Sequence, residues 1–124
     1  MKEYTSNIEE LTLKNENFRE VLYTSENMQL VLMSLLPKED IGKEIHHLDQ
    51  FFRIEKGTGK AIINDNEYEL SDGVVVIVPS GAMHNIINTS STEKLKLYTI
   101  YAPKNHPDGT IHKTKLEAEK DEHH

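Results

Sequence analysis

Two glycine-bounded stretches constrain the fold of this 124-residue chain more than any other feature. The first, Gly42 to Gly57, reads GKEIHHLDQFFRIEKG, and the second, Gly73 to Asn88, reads GVVVIVPSGAMHNIIN. Each opens at a glycine suited to a turn and continues through the β-branched and aromatic residues typical of strands. Each also carries histidine among side chains that bind metals. The pattern predicts two hairpins that bring these side chains together.

The spacing of the polar residues indicates which of them form the site. Glu44, His46 and Gln50 lie at even intervals, so on an extended chain all three project from one side of a sheet. The second stretch supplies His84. Imidazole nitrogens combined with carboxylate or amide oxygens suit first-row divalent cations. We therefore predict a divalent-metal site, with the choice among Mn, Fe, Zn, Ni and Co open, whose ligands are Glu44, His46, Gln50 and His84.

The same stretches resemble the two sequence motifs of the cupin superfamily. The second matches its motif at every fixed position, which are Gly73, Pro79, Ser80, Gly81, His84 and Asn88. The first departs from its motif, because counting back from Gly57 places Gln50 at the family's glutamate and Glu44 at its first histidine. The resemblance covers roughly residues 28–102. It implies a double-stranded β-helix, or jelly-roll barrel, with one metal ion between its sheets.

Strand-like segments recur along the chain between glycine, proline and asparagine turns, and no long helix interrupts them. This indicates an all-β antiparallel sandwich or barrel. Residues 28–36 are apolar at both parities, which predicts a strand covered on both faces, with another subunit as one possible cover. The strands over 83–88 and 94–101 are expected to pair across the polar loop 89–93. Residues 7–13 are expected to form either a short helix, with Asn7 as its N-cap, or a loose arm.

The length predicts one domain over residues 1–124, with a barrel core at about 18–102 and an extension over 103–124. The extension opens with prolines and a glycine, and its polar segment 113–122 is expected to be a solvent-exposed helix or a tail. His123 and His124 are either native or part of a tag, so they carry no functional weight.

Composition excludes several classes of function. A formal charge of -7 without a basic patch argues against a nucleic-acid partner. No segment is apolar enough to be a signal peptide or to cross a bilayer, so no membrane partner and a cytoplasmic location are expected. Cysteine is absent, which excludes disulfides and thiolate metal sites.

Strand parity predicts what lines the barrel and what faces outward. If Lys94 and Lys96 face water, the inward residues are Leu95, Leu97, Thr99 and Tyr101, joined by Gln50, Phe52, Ile54 and Ile86. Such a mostly apolar pocket suits a small organic ligand that chelates the metal. The outer face would carry Phe51, Tyr98 and Ile100 and is too apolar to be fully solvated, which predicts a homodimer.

Acid–base chemistry would need a residue other than Gln50, because an amide does not transfer protons at neutral pH. Glu44, a metal-bound hydroxide or Tyr101 are the candidate bases. His47 and Asp49 have the wrong parity for ligands. We expect His47 to be a surface residue and Asp49 to be a turn residue. His106 and His112 lie in the segment KNHPDGTIH, which is either a surface loop or a flap that lends a histidine to the substrate.

The resemblance implies a metal-binding protein but does not fix the activity, since the superfamily holds isomerases, dioxygenases, decarboxylases and binding proteins. A metal-dependent enzyme acting on a small oxygenated metabolite or sugar is the first hypothesis. A non-catalytic module for a sugar or small acid is the second. A phosphosugar isomerase similar to mannose-6-phosphate isomerase ranks third, because only Lys43, Lys104 and Arg53 offer positive charge at the mouth. A dioxygenase is the fourth.

Overall fold

The computed structural model describes residues 2–122, which form two facing antiparallel β-sheets with a short helix near each end. In chain order the elements are α1 (Ile8–Lys14), β1 (Arg19–Thr24), β2 (Gln29–Leu35), β3 (Glu44–Ile45), β4 (Asp49–Lys56), β5 (Gly59–Ile63), β6 (Asn66–Leu70), β7 (Val75–Val78), β8 (Met83–Asn88), β9 (Leu95–Ala102), β10 (Ile111–His112) and α2 (Lys115–Glu122). Neither helix has the length and apolar character needed to cross a membrane.

The strand order shows how the chain crosses from one sheet to the other. One sheet has the order β10-β1-β2-β9-β4-β7, and the other has the order β3-β8-β5-β6. Successive strands such as β3 and β4 therefore belong to different sheets. This is the jelly-roll arrangement, and it confirms the predicted all-β fold. Most inward side chains of β2, β4 and β9 are apolar and fully buried, and they form the core between the sheets.

Of the two alternatives for residues 7–13, a short helix or a loose arm, the structure shows the helix. The Asn7 side chain accepts a hydrogen bond of 3.0 Å from the Glu10 backbone N–H, which satisfies one of the free donors of the first turn. The helix packs against β2, β4 and β9. Within this chain, therefore, a helix rather than a second subunit covers part of the outer face of β2.

The burial of Lys96 under this helix differs from what the sequence predicted. Lys96 was expected to face water, but only 6% of its surface is exposed. Its ammonium group contacts the backbone carbonyl of Asn15 and lies 3.3 Å from the carboxylate of Glu16, both just after α1. The lysine does point to the outer face, and the prediction was wrong because the helix covers that part of the face.

The predicted pairing of the strands at 83–88 and 94–101 was also wrong. β8 pairs with β3 and β5, whereas β9 pairs with β2 and β4 in the other sheet. The loop between them crosses the barrel, and Asn88 holds it in place. The buried Asn88 amide lies within hydrogen-bond distance of the carbonyls of Leu35, Leu36 and Glu93. It therefore connects the end of β8 to the end of β2 and to the segment just before β9.

The C-terminal extension is more ordered than a tail. β10 pairs with β1, and α2 follows it. The helix predicted as one of two options is present, and it is docked rather than fully solvated, because Ala118 is 3% exposed and belongs to the core. Lys115 also makes an ion pair with Asp40. His123 and His124 lie outside the described residues.

Candidate metal site

The site begins with a short strand pair at one end of the barrel. β3 pairs with β8 so that Glu44 and His84 are direct cross-strand partners. Side chains that are opposite each other in an antiparallel pair project from the same face. The ring of His84 also lies 6.1 Å from that of Phe52, a core residue on the opposite sheet. Both predicted ligands therefore point into the barrel.

His46 joins them from the connection between β3 and β4. Its backbone carbonyl accepts a hydrogen bond of 2.8 Å from the N–H of Gly81, in the turn that leads into β8. Gly81 has a φ of 90°, a conformation that L-residues rarely adopt, so glycine suits this turn. This bond fixes the first glycine-bounded stretch against the second. The rings of His46 and His84 lie 5.4 Å apart.

Gln50 approaches from the other sheet, which corrects part of the prediction. Glu44, His46 and Gln50 do not share one side of a sheet, because the chain crosses between the sheets after β3. Gln50 lies on β4, and its register partner is Tyr101. The ring of Tyr101 packs edge-on against His46 at 5.9 Å. The fourth predicted ligand is thus on the barrel's inner face, beside a residue that touches His46.

Three of these side chains have a buried ligand atom that has no hydrogen-bond partner among residues 2–122. They are Nε2 of His46, Nε2 of His84 and Oε1 of Gln50. The ligand atoms of Glu44, His46 and His84 all lie within 4.8 Å of one another. His46 Nε2 is 3.2 Å from a Glu44 oxygen, an ion-pair distance without hydrogen-bond geometry. This is the spacing expected of atoms that share one metal ion.

Hydrogen bonds at the far side of His84 and Gln50 orient their free atoms. His84 Nδ1 lies 3.3 Å from the carbonyl oxygen of Ala82, so Nδ1 is the protonated nitrogen and Nε2 keeps its lone pair. The Gln50 amide donates through Nε2 to Thr99 Oγ1 at 3.0 Å, which leaves Oε1 as the free acceptor. Such outer contacts are the usual means by which proteins aim metal ligands.

The electrostatic environment favours the protonation states that bind metal. Burial lowers the pKa of His84, so the ring is neutral at neutral pH. Burial would raise the pKa of Glu44, but the contact with His46 and the positive charge of Arg19 outweigh it, and the pKa is lowered. The site therefore offers a carboxylate together with a neutral His84 imidazole.

A loop after β9 covers this end of the barrel. The His106 ring lies 5.2 Å from that of Tyr101, and its Nε2 is 3.2 Å from the tyrosine oxygen. Burial lowers the pKa of His106 to about 3, with the charge of Arg19 as a further cause. The buried amide of Gln29 fixes the loop, because its oxygen accepts from the backbone N–H groups of Asn105 and His106 and its nitrogen donates to the His106 carbonyl.

The structure distinguishes the other residues that the sequence singled out. His47 is exposed, as expected, whereas Asp49, expected in a turn, is exposed but is the first residue of β4. Of the two readings of KNHPDGTIH, the flap describes His106 better than the surface loop does. His112 is buried instead between Arg19 and Asp121, at 3.2 and 2.9 Å. Every residue expected to line the barrel is buried, namely Leu95, Leu97, Thr99, Tyr101, Gln50, Phe52, Ile54 and Ile86.

Arg19 is the residue that sequence reasoning missed. It is 2% exposed, on the core side of β1, and its charge acts on both Glu44 and His106. Its alternation with Val21 in the strand FREVLY was the available signal, since both share the inward parity. A surface depression of about 470 Å³ lies at the opposite end of the barrel, near Lys56 and Lys94, and contains none of the predicted ligands.

Comparisons with known proteins agree with this architecture. The cupin domain family matches residues 31–101, which contain all four predicted ligands. Uncharacterized protein L612 of Acanthamoeba polyphaga mimivirus is 52% identical over 87% of this chain and 70% of its own length. Uncharacterized protein YrkC of Bacillus subtilis is 46% identical over 94% of this chain and 66% of its own length. The chain thus spans about two thirds of these curated relatives.

A solved structure shows the same fold over almost the whole chain. The crystal structure of BH2720 from Bacillus halodurans superposes with a TM-score of 0.93 at 42% sequence identity, over 96% of this chain and 95% of that one. The similarity extends beyond residues 31–101, so it includes both terminal segments.

Proposed function

The chain belongs to the cupin superfamily, and we propose that it binds one divalent metal ion through Glu44, His46, Gln50 and His84. The observation that carries the proposal is the set of unpartnered buried atoms, Nε2 of both histidines and Oε1 of the glutamine, beside the Glu44 carboxylate. Buried polar atoms without partners are costly in a folded protein. A shared cation would satisfy all of them at once.

The donor set indicates the class of metal. Two nitrogens and two oxygens suit Mn, Fe, Co, Ni or Zn, whereas Ca²⁺ and Mg²⁺ prefer sites made of oxygen alone. The set carries only one negative charge, from Glu44. A neutral amide is a weaker ligand than the carboxylate it replaces in the family pattern. We therefore expect moderate affinity that follows the usual rise from Mn to Ni and Zn.

We further propose that the protein is a metal-dependent enzyme for a small oxygenated metabolite or sugar. A bound divalent ion supplies Lewis acidity toward a carbonyl or hydroxyl oxygen. Of the chain's own groups, Glu44 is the carboxylate of the ligand set, and the ring of the buried Tyr101 packs edge-on against His46. The neutral His106 ring lies within hydrogen-bond distance of the Tyr101 hydroxyl, which orients it. Glu44 and Tyr101 are therefore the proposed proton-transfer residues.

A non-catalytic binding module is the second candidate, and Gln50 favours it. Its amide donates a hydrogen bond to Thr99 and does not act as an acid or a base at neutral pH. The isomerase and dioxygenase alternatives share the same ligand set. They separate by metal content and oxygen use: a dioxygenase requires iron or copper and consumes oxygen with its substrate, whereas an isomerase does neither.

The metal proposal is tested by calorimetric titration of metal-free protein with Co²⁺, Ni²⁺ and Zn²⁺. His84→Ala and Glu44→Ala should each weaken binding at least 100-fold, since each removes a ligand. His47→Ala is the matched control, because it deletes the exposed histidine adjacent to His46 and should leave binding unchanged. Equal affinity in the wild type, His84→Ala and Glu44→Ala would refute the site.

We also propose that the protein is a homodimer that pairs through the outer face of the larger sheet. Ile77, Phe51, Ile100 and Leu30 are successive register partners across four strands, so they form one apolar row. Ile77 is 65% exposed. Ile77→Glu should convert the dimer to a monomer in light scattering. Ile45→Glu, at a 58% exposed position on the other sheet, should not. A wild-type monomer at micromolar concentration would disprove the dimer.

A further inference from the structure

Arg19 is a buried cation that the proposed metal site does not use. It lies on β1 opposite Met33, which in turn is opposite Leu97 on β9. Met33 and Leu97 are core residues, and register partners project from one face, so Arg19 points into the barrel rather than outward. Arginine is rarely buried without compensation.

The hydrogen bonds of Arg19 are incomplete. Nη1 lies 3.2 Å from His112 Nδ1, and the other nitrogen of that ring lies 2.9 Å from the Asp121 carboxylate. The guanidinium also lies 5.4 Å from the Phe18 ring centroid. Nε, however, is buried and has no hydrogen-bond partner in the described part of the chain. One side of the guanidinium is therefore held in place, while a donor on the adjacent edge has no acceptor.

The charges around the interior also favour an anion. Glu44 is the acidic group of the ligand set, and His106 is neutral at neutral pH. A divalent ion and Arg19 together carry one positive charge more than the Glu44 carboxylate and the Asp121 carboxylate beside His112 balance. Electrostatic complementarity in a low-dielectric interior then selects a negatively charged ligand over a neutral one.

We propose that Arg19 binds the carboxylate of the small molecule that this barrel accepts. The ligand class is a small organic acid whose hydroxyl or carbonyl oxygen reaches the metal. The inference rests on the proposed function for one part only, the contact between this oxygen and the metal. A carboxylate fits better than a phosphate, because one unsatisfied N–H of a single guanidinium can serve a monoanion, whereas a phosphate dianion usually needs several donors or cations.

The test compares two probes that differ by one charge. Glycolate and glycolamide have the same size and the same hydroxyl, and only glycolate is an anion at pH 7.5. Calorimetric titration of Co²⁺-loaded wild type should give at least tenfold tighter binding of glycolate. Arg19→Met should reduce this ratio at least tenfold, because a hydrogen-bonded ionic contact is lost. Arg19→Lys keeps the charge without the planar edge and should give an intermediate ratio.

Two further measurements distinguish ligand binding from a structural role. If Arg19 served only to hold His112 and α2, His112→Ala and Arg19→Met would change the glycolate ratio alike. We expect the ratio of His112→Ala to stay within threefold of the wild type. If Arg19→Met does not fold, Arg19→Lys decides the question. An unchanged ratio in the Arg19 variant overturns the proposal, and so does Arg19-dependent binding of inorganic phosphate that is tighter than that of glycolate.

The outcome is separable from that of the metal proposal. Co²⁺ affinity is measured for each variant, and Arg19→Met should leave it within threefold of the wild type because Arg19 is not a ligand. If Co²⁺ does not bind the wild type, the metal proposal fails. The glycolate ratio of the metal-free protein then still tests Arg19.

Discussion

The interior of the barrel has two ends that are supplied by the same three strands and differ sharply in chemistry. At one end, β2, β4 and β9 contribute Leu35, Ile54 and Leu95, which are fully buried and pack against one another. At the other end the same strands contribute Gln29, Gln50 and Tyr101, which form one register row. One end can be close-packed, whereas the other must satisfy its polar atoms.

The two glutamines of the polar row show how a structural amide differs from a candidate ligand. Gln29 uses both ends of its amide, because its oxygen and nitrogen bind the loop at Asn105 and His106. Gln50 uses only its nitrogen, toward Thr99, and its buried oxygen has no hydrogen-bond partner among the residues that the structure describes. Burial and residue type are the same for both. The unsatisfied atom is what marks Gln50 as a candidate ligand.

The largest expected effect tests the apolar end. Leu97→Ala should lower the free energy of unfolding by about 2–5 kcal/mol, because it leaves a cavity among fully buried side chains. Urea denaturation of the metal-free protein measures the change. Gln50→Leu should cost less than about 1 kcal/mol in the same assay, since it removes an unsatisfied oxygen. A larger loss for Gln50→Leu than for Leu97→Ala would show that the polar end also stabilises the fold.

A smaller effect concerns pH and arises only at the polar end. The pKa of His106 is about 3 in the folded protein, below the value of about 6.5 for an unfolded histidine. As the pH falls below 6.5, the unfolded chain therefore takes up a proton that the folded ring does not. The contribution of the neutral His106 to stability is fully present above pH 6.5 and is lost as the pH falls toward 3. Allowing for partial exposure, this amounts to about 1–2 kcal/mol at pH 5.

His106→Asn should remove that part of the pH dependence. In metal-free protein, the difference in unfolding free energy between pH 7.5 and pH 5 should be smaller in the variant by the same 1–2 kcal/mol. His47→Asn, at an exposed position, should leave the difference unchanged. If both variants behave like the wild type, His106 is solvated in solution and the loop does not close the barrel.

Much of the fold was predictable because it follows from strand parity and turn chemistry. The hairpin over residues 59–70 and the strand ended by Pro79 depend on local signals, with Asn64 in the turn at a φ of 54°. Sheet membership was not predictable in the same way. Whether β8 pairs with β9 depends on how the loop crosses the barrel, and Asn88 fixes that crossing through carbonyls distant in sequence.

In the candidate site, too, some residues were predictable from local patterns and others were not. Periodicity and the family resemblance indicated Glu44, His46, Gln50 and His84, because each motif keeps its spacing relative to a turn. The positions of Arg19 and His106 depend on contacts that span 93 and 77 residues, with His112 and Gln29, and no local pattern contains them. Lys96 was misplaced for a similar reason, since an amphipathic strand does not reveal which helix covers its outer face.

The smallest predicted effect tests whether the Gln50 oxygen is aimed or merely free. Thr99→Val keeps the shape of the side chain and removes the acceptor of the Gln50 amide proton. Loss of a contact that orients a ligand should weaken metal binding about tenfold, or about 1.4 kcal/mol, by calorimetric titration. Thr12→Val, which removes a buried hydroxyl that bonds within α1, is the matched control and should leave metal affinity unchanged. If Thr99→Val binds metal as tightly as the wild type, the amide does not contribute as a ligand. The two glutamines would then differ only in how well they are satisfied, and the metal would rest on Glu44, His46 and His84.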